Sequence, residues 1–249
     1  MKGHLYLLSL VAGVFLVPGL AADPVTDAIG KPGRLSADLE RDKRSHPEVI
    51  LPLLQLQPGD RVADIWAGAG YYSELIASIV GEDGEVLLVN NLAYEKFAGK
   101  ALAERQEGRD MGSVTLHTRE AEDLELGENN LDAALIIMSY HDLYHVDEPN
   151  GWRPIDADNF IGQIHTALKP GGRFLVVDHY AAPGTGKDSA QELHRIDVDF
   201  AKKDITAHGF KLVAQSDVLR NPDDDYNIMV FDPQVRGNTD RFVLLFEKI

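Results

Sequence analysis

Cysteine is absent from the 249 residues of this chain. Disulfides are therefore excluded, as is a lipid carried on an amino-terminal cysteine, and stability has to come from the core. Positive charge is scarce as well: 24 lysines and arginines stand against 40 acidic residues, for a formal charge of −16. Without a basic face the chain cannot replace the counterions of nucleic acid or cling to an anionic membrane by bulk attraction, so no nucleic-acid partner is expected. Long apolar runs are also missing apart from Leu5 to Leu20, which is shorter than the roughly 20 residues of a membrane span. That run follows Lys2 and gives way to Pro18, Gly19 and the small residues Ala21 and Ala22. A charged start, an apolar middle and a small-residue end form a secretory signal, with cleavage expected after Ala21 or Ala22. Residues 1–22 are expected to be removed on export, which leaves a periplasmic or secreted protein with no stable membrane anchor. An uncleaved anchor is the alternative, because the run approaches spanning length.

What is present reads as one globular α/β unit, with 44% hydrophobic and 26% charged residues. Residues 23–57 are polar with helical fragments. Ser36 is placed to cap Ala37 to Arg44, and Pro47 to open Glu48 to Gln55, so the segment is expected to form a helical cover. Its charged run Glu40 to Arg44 is a solvated helical face or a lid over a ligand. Over residues 58–249 strands and helices alternate. Strands are expected at Arg61–Ile65, Glu85–Val89, Val114–His117, Leu131–Met138 and Arg173–Asp178, and helices at Tyr71–Val80, Ala93–Glu107 and Asp156–Leu168. This alternation predicts a parallel sheet covered on both faces. The tail predicts one long helix over Ser189–His208, then strands Phe210–Gln215 and Arg241–Glu247, which can pair antiparallel at a sheet edge. No internal repeat is present.

The chain is organised around Asp64-Ile65-Trp66-Ala67-Gly68-Ala69-Gly70-Tyr71-Tyr72, a strand end, a glycine turn and a helix start. Glycine allows positive φ and close approach of a ligand, and the carboxyl end of a strand in an open sheet is where ligands sit. The turn lacks the third glycine of a dinucleotide fingerprint, since Ser73 follows Gly70 three residues on. It also lacks the Gly-Lys-Ser/Thr ending of a triphosphate loop.

From Pro58 to Lys248 the ordered motifs resemble the class I S-adenosylmethionine-dependent methyltransferases. They are Pro58-Gly59-Asp60 before the first strand, the Asp64 to Gly70 loop, Glu120 to Leu124 after the third strand, Asp132 opening the fourth, and Leu168 to Gly172 before the fifth. The form Trp66-Ala67-Gly68-Ala69-Gly70-Tyr71-Tyr72, the Asn after the second strand and the tail Arg236 to Phe242 also resemble an exported branch of that family. The resemblance implies a Rossmann-like fold with a mostly parallel seven-stranded sheet, helices on both faces and an antiparallel edge strand. It implies S-adenosylmethionine as cofactor and a small-molecule or protein methyl acceptor as partner; it does not fix the oligomeric state. Asp64 would orient the turn and help hold the cofactor's ammonium, with backbone from Ala67 through Gly68 to Gly70 against its amino-acid part. Asn90 would stand where the family places an acid on the ribose, Glu120 would accept from the adenine amino group, and Ala121 would meet the ring. Ser139, Tyr140 and His141 would flank the sulfonium and the acceptor. Trp66 replaces the first glycine of the family's loop, and it could stack on adenine or pack inside.

Where the acceptor is protonated, methyl transfer also needs a base. His141 is the expected catalytic residue, because its unperturbed pKa lies near neutrality, with Tyr140 beside it and Asp142 to orient the ring or cap the next helix. A histidine simply bonded to a neighbouring carboxylate is the plain alternative. His141 and His145 are four apart, and His179 and His194 come later, yet the His-Glu-x-x-His order of a zinc helix is missing and no metal is expected. Asp223-Asp224-Asp225 reads as a solvated turn, without the ligand spacing of a calcium loop. Trp66, Asn90 and the export signal leave a second functional reading open, a catalytically inactive methyltransferase-fold binding protein in the periplasm.

Overall fold

In the computed structural model, which describes residues 23–249, strands form where short apolar runs follow turn residues. They are β1 (Arg61–Ile65), β2 (Glu85–Asn90), β3 (Val114–Thr118), β4 (Leu131–Ile137), β5 (Leu168–His179), β6 (Phe210–Ser216) and β7 (Arg241–Lys248). The signal segment expected over residues 1–22 lies outside the described residues. The sheet order is β3-β2-β1-β4-β5-β7-β6. Pairing is parallel from β3 to β5, and β7 runs antiparallel to both β5 and β6. The strand order reverses between β1 and β4, so a crevice opens at their carboxyl ends, the usual ligand position in such sheets.

Eight helices accompany the sheet in the described residues: α1 (Pro24–Gly30), α2 (Ser36–Ser45), α3 (Pro47–Ile50), α4 (Tyr71–Val80), α5 (Leu92–Gln106), α6 (Ala157–Ala167), α7 (Ser189–Leu193) and α8 (Val198–Ala207). Strand β4 shows why its sequence is almost wholly apolar. Ala133 and Leu135 pack on the side of Ile50, Leu75 and Ile76, while Ala134 and Ile136 pack with Phe160, Ile164 and Ile205. Both faces are buried, so the alternation of a half-exposed strand disappears. Among the described residues no helix is long and apolar enough to cross a membrane.

Three local expectations are corrected. Ser36 is the first residue of α2 rather than its cap, and Leu35 precedes it with no side-chain bond. The helix begun by Pro47 tightens into a 3-10 turn at Leu51–Leu54 after one turn. The long helix over Ser189–His208 is two helices. His194 adopts φ 53°, Arg195 N–H and Ile196 N–H donate to Ser189 and His179 carbonyls, and Asp197 caps α8 through Asp199 N at 2.8 Å. Tertiary hydrogen bonds override helix propensity there.

Arg105 of α5 ties the amino-terminal helices to the rest. Only 4% exposed, it donates to both oxygens of Asp38 in α2 at 2.6 and 2.9 Å, to Glu74 of α4 at 2.6 Å, and to the Ala69 carbonyl in the glycine turn. One guanidinium thus fixes α2, α4, α5 and the turn together.

Candidate functional site

The turn after β1 is built from positive-φ residues: Trp66 at 51°, Gly68 at 59° and Gly70 at 79°. Gly70 is held to glycine by space as well, because a Cβ there would lie 2.8 Å from Leu88 Cδ1 and 3.3 Å from Met111 Cε. Asn90, at the end of β2, accepts from Gly68 N at 3.0 Å and donates to Gly68 O at 2.9 Å, so its amide locks the turn. Asp64 is buried and accepts from Ser73 Oγ at 2.6 Å in the first turn of α4. Burial pushes its carboxyl up to about 6, against the opposing bond from Ser73.

Above the turn lies a cavity of about 620 Å³, within the size range of small-molecule sites. Ala67, Gly68 and Ala69 form its floor beside Tyr94, Phe97 and Ala98 of α5. Ser139, His141, Asp142, His179 and His194, from the ends of β4 and β5 and the break before α8, form the opposite wall. Arg41 and Arg44 of α2 and Phe231 and Arg241 from the carboxyl-terminal part complete the rim. The indole of Trp66 turns aside from the turn and is 2% exposed. It stacks on Tyr94 at 5.5 Å and lies 4.7 Å from Phe160. Its Nε1 is buried without a hydrogen-bond partner in the protein.

His141 stands between two carboxylates. Its Nδ1 donates to Asp178 Oδ1 at 2.8 Å, and its Nε2 lies 3.2 Å from Asp142 Oδ1. Burial alone would lower the ring's pKa, but Asp178 and Asp142 outweigh it and push it up to about 10. Burial would raise Asp142 in turn, and His141, His194 and Tyr94 hold it well below the usual carboxylate range. In the free protein this ring is therefore held protonated at neutral pH. The neighbouring His179 goes the other way: burial and the charge of His141 keep it neutral, with Nδ1 2.7 Å from Thr239 Oγ1.

The fold thus brings Trp66, Ala67, Gly68, Ser139, His141 and Asp142 onto one cavity. It keeps Asp64, Gly70, Asn90, Glu120, Ala121 and Tyr140 off the cavity surface. Glu120 engages Arg153 at 3.2 Å and accepts from Leu92 N at 3.3 Å. Ala121 is buried with Leu124, and Tyr140 donates its hydroxyl to Asp204 of α8. Sequence reading missed Tyr94, Asp178, Arg105 and Arg241. Only Asp178 carried a signal, an acid at the carboxyl end of a parallel strand.

The fit to S-adenosylmethionine can be judged from these positions. The turn end suits it: backbone is accessible at Ala67 to Ala69, no side chain projects from Gly68, and Trp66 leaves the space clear. At the nucleoside end Asn90 and Glu120 are engaged elsewhere, and the exposed aromatic surface is that of Phe97, with Tyr94 and Trp66 buried behind it. A planar base suits that surface.

Residues 43–117 match the protein-L-isoaspartate(D-aspartate) O-methyltransferase family. The ubiquinone/menaquinone biosynthesis C-methyltransferase UbiE of Teredinibacter turnerae is 27% identical over 177 residues, 70% of this chain and 65% of that one. The chain spans less than two-thirds of the length of this relative and about half of other UbiE sequences that it matches. Among solved structures, an S-adenosylmethionine-dependent methyltransferase from Mesorhizobium loti superposes with TM-score 0.57 at 16% identity, covering 84% of this chain and all of that one. The [4+2]-cyclase SpnF superposes with TM-score 0.55 at 15% identity, covering 90% and 91%. The fold by itself therefore does not dictate methyl transfer. Ordered motifs, sheet topology and sequence matches agree: the chain has the Rossmann-like fold of the class I S-adenosylmethionine-dependent methyltransferases and resembles them in sequence.

Proposed function

We propose that this protein transfers a methyl group from S-adenosylmethionine to a small-molecule or protein acceptor held in the cavity above the glycine turn. The observation that carries this reading is the continuity of one cavity from the Ala67–Ala69 backbone to the Ser139–His141–Asp142 wall. The cofactor, when bound, supplies an electrophilic methyl on a sulfonium. Displacement at that carbon demands alignment above all, so the protein's task is to hold two partners in line with water excluded.

The turn backbone would receive the donor's amino-acid end, with Asn90 and Arg105 holding that backbone rigid. Phe97 at the cavity edge would take the base. At the acceptor end, the wall of Ser139, His141 and Asp142 would border the acceptor. Equilibrium dialysis with labelled S-adenosylmethionine tests the reading. Saturable binding is expected, and no binding at millimolar donor overturns it.

One observation favours a second reading, a methyltransferase-fold binding protein without turnover. Asn90 spends both polar atoms of its side chain on Gly68, and Glu120 faces Arg153, so the two polar contacts the family makes with the nucleoside are engaged within the protein. A native ligand other than the methyl donor, released on gentle purification and identified by mass spectrometry, supports that alternative.

A further inference from the structure

We propose that His141 Nε2, Asp142 Oδ1 and His194 Nδ1 form a binding site for one divalent transition-metal ion, with zinc the best match, on the wall of the cavity. The three atoms stand at the corners of a nearly equilateral triangle. His141 Nε2 is 3.2 Å from Asp142 Oδ1, His194 Nδ1 is 3.3 Å from His141 Nε2, and His194 Nδ1 is 3.5 Å from Asp142 Oδ1. A tetrahedral ion with bonds of about 2.0 Å to nitrogen and oxygen separates its ligands by about 3.3 Å. The triangle has the edge length of such a coordination face before any side chain moves.

The surroundings are those of a metal ligand set. His141 donates its remaining nitrogen to the fully buried Asp178 at 2.8 Å, and a ligating imidazole is commonly fixed in this way by a carboxylate. Asp178 is itself held by the backbone N–H groups of His141 and His179, both at 2.7 Å. Tyr94 donates its hydroxyl to Asp142 Oδ2, which leaves Oδ1 turned toward the histidines. The break between α7 and α8 places His194 opposite His141, with the rings perpendicular and 5.3 Å between centroids. Two buried carboxylates around one imidazole call for a cation, and a metal would replace the proton on His141 Nε2. Three protein ligands leave a fourth position facing the cavity, the arrangement of a reactive rather than a purely structural site, and a water or a ligand oxygen would fill it.

This site does not depend on methyl transfer, and it is tested by a readout that does not need turnover. The full chain is stripped with chelator and titrated with Co(II), then with Zn(II). One equivalent per chain is expected, with the strong visible d–d bands of tetrahedral Co(II), and zinc should displace it. His194→Ala should weaken zinc binding by about 100-fold, and Asp178→Asn by about 10- to 100-fold through loss of ring orientation. His145 lines the same cavity but bonds the Gln191 carbonyl, so His145→Ala should retain stoichiometric zinc. Far-UV circular dichroism identifies variants that fail to fold, and the half-buried His194 keeps the test open if His141→Ala is one of them. Substoichiometric zinc on the wild-type chain at micromolar free metal overturns the proposal. So does a folded His194→Ala variant that binds zinc as the wild type does.

Discussion

Arg195 and Asp224 form a two-pronged ion pair in which neither side chain has any exposed surface, with Nη1 and Nη2 at 2.8 and 2.9 Å from the two carboxylate oxygens. Arg195 also donates to the carbonyls of Ile228 and Tyr180, and Asp224 accepts from Asp240 N. The pair fastens the polar segment between β6 and β7 to the break before α8. It therefore holds the roof of the cavity and sets the residue after His194. The reading of Asp223-Asp224-Asp225 as a solvated turn is corrected at its central residue.

Asp224→Asn should leave a buried guanidinium without its counter-charge, at a cost of about 3–5 kcal/mol. For a chain of this size that corresponds to a fall in Tm of roughly 10 °C. Replacing both partners together with apolar residues of similar volume should recover most of the loss, because the isolated charge carries the penalty. Thermal and urea unfolding of the single and double variants decide this. A single variant within about 1 kcal/mol of wild type would show that the pair contributes little.

Gly68 and Gly70 separate fold from binding. At Gly68 the nearest atom to an added Cβ is Ala98 Cβ at 3.8 Å, so Gly68→Ala meets only the backbone penalty of positive φ, about 1 kcal/mol. Its new methyl group would nevertheless enter the cavity floor. We expect S-adenosylmethionine binding to weaken at least tenfold in dialysis while unfolding shifts little. Gly70→Ala adds the Leu88 and Met111 contacts to the same φ penalty and should be the less stable of the two, by denaturant melts.

Both tryptophans of the chain, Trp66 and Trp152, line the cavity. Tryptophan emission, excited selectively over tyrosine, therefore reports on this site alone. Donor binding should change emission saturably with the dissociation constant found by dialysis, and Trp66→Phe should remove part of that change. Truncation is another matter: Trp66→Ala empties the space against Tyr94 and Phe160 and should destabilise by about 3–5 kcal/mol. A donor that binds in dialysis without altering emission would place it outside this cavity.

The extent to which the sequence was legible follows from where its information is local. The strands β1, β2 and β4 and the helix α4 could be read because a strand covered on both faces is an unbroken apolar run and a glycine turn must be glycine. The motif residues around Gly68 came with them. What escaped reading rests on side-chain bonds between distant positions: Asp38 with Arg105, 67 residues apart, and Arg195 with Asp224, 29 apart. No periodicity announces such pairs. The second of them belongs to the contacts that break the helix predicted over Ser189–His208, and that break puts His194 opposite His141. Asn90 was read as a ribose contact from its place at a strand end, but the space between β2 and the turn lets its amide close on Gly68 instead.

Asp64 gives the fold a pH dependence whose sign is fixed by burial. Its folded-state pKa is raised from 3.8 to about 6, so the folded chain binds a proton more tightly than the unfolded one. Stability from this group is present in full below about pH 3.8 and is lost as pH rises through about 6. Two pKa units correspond to roughly 3 kcal/mol, taken as an order of magnitude. Asp64→Asn keeps an acceptor for Ser73 Oγ and removes the titration. The variant should be as stable as wild type or more so at pH 7, and its advantage should shrink as pH falls from 7 to 4. Urea unfolding of both proteins across that range measures the difference, and a gap between them that stays constant with pH would sink the argument.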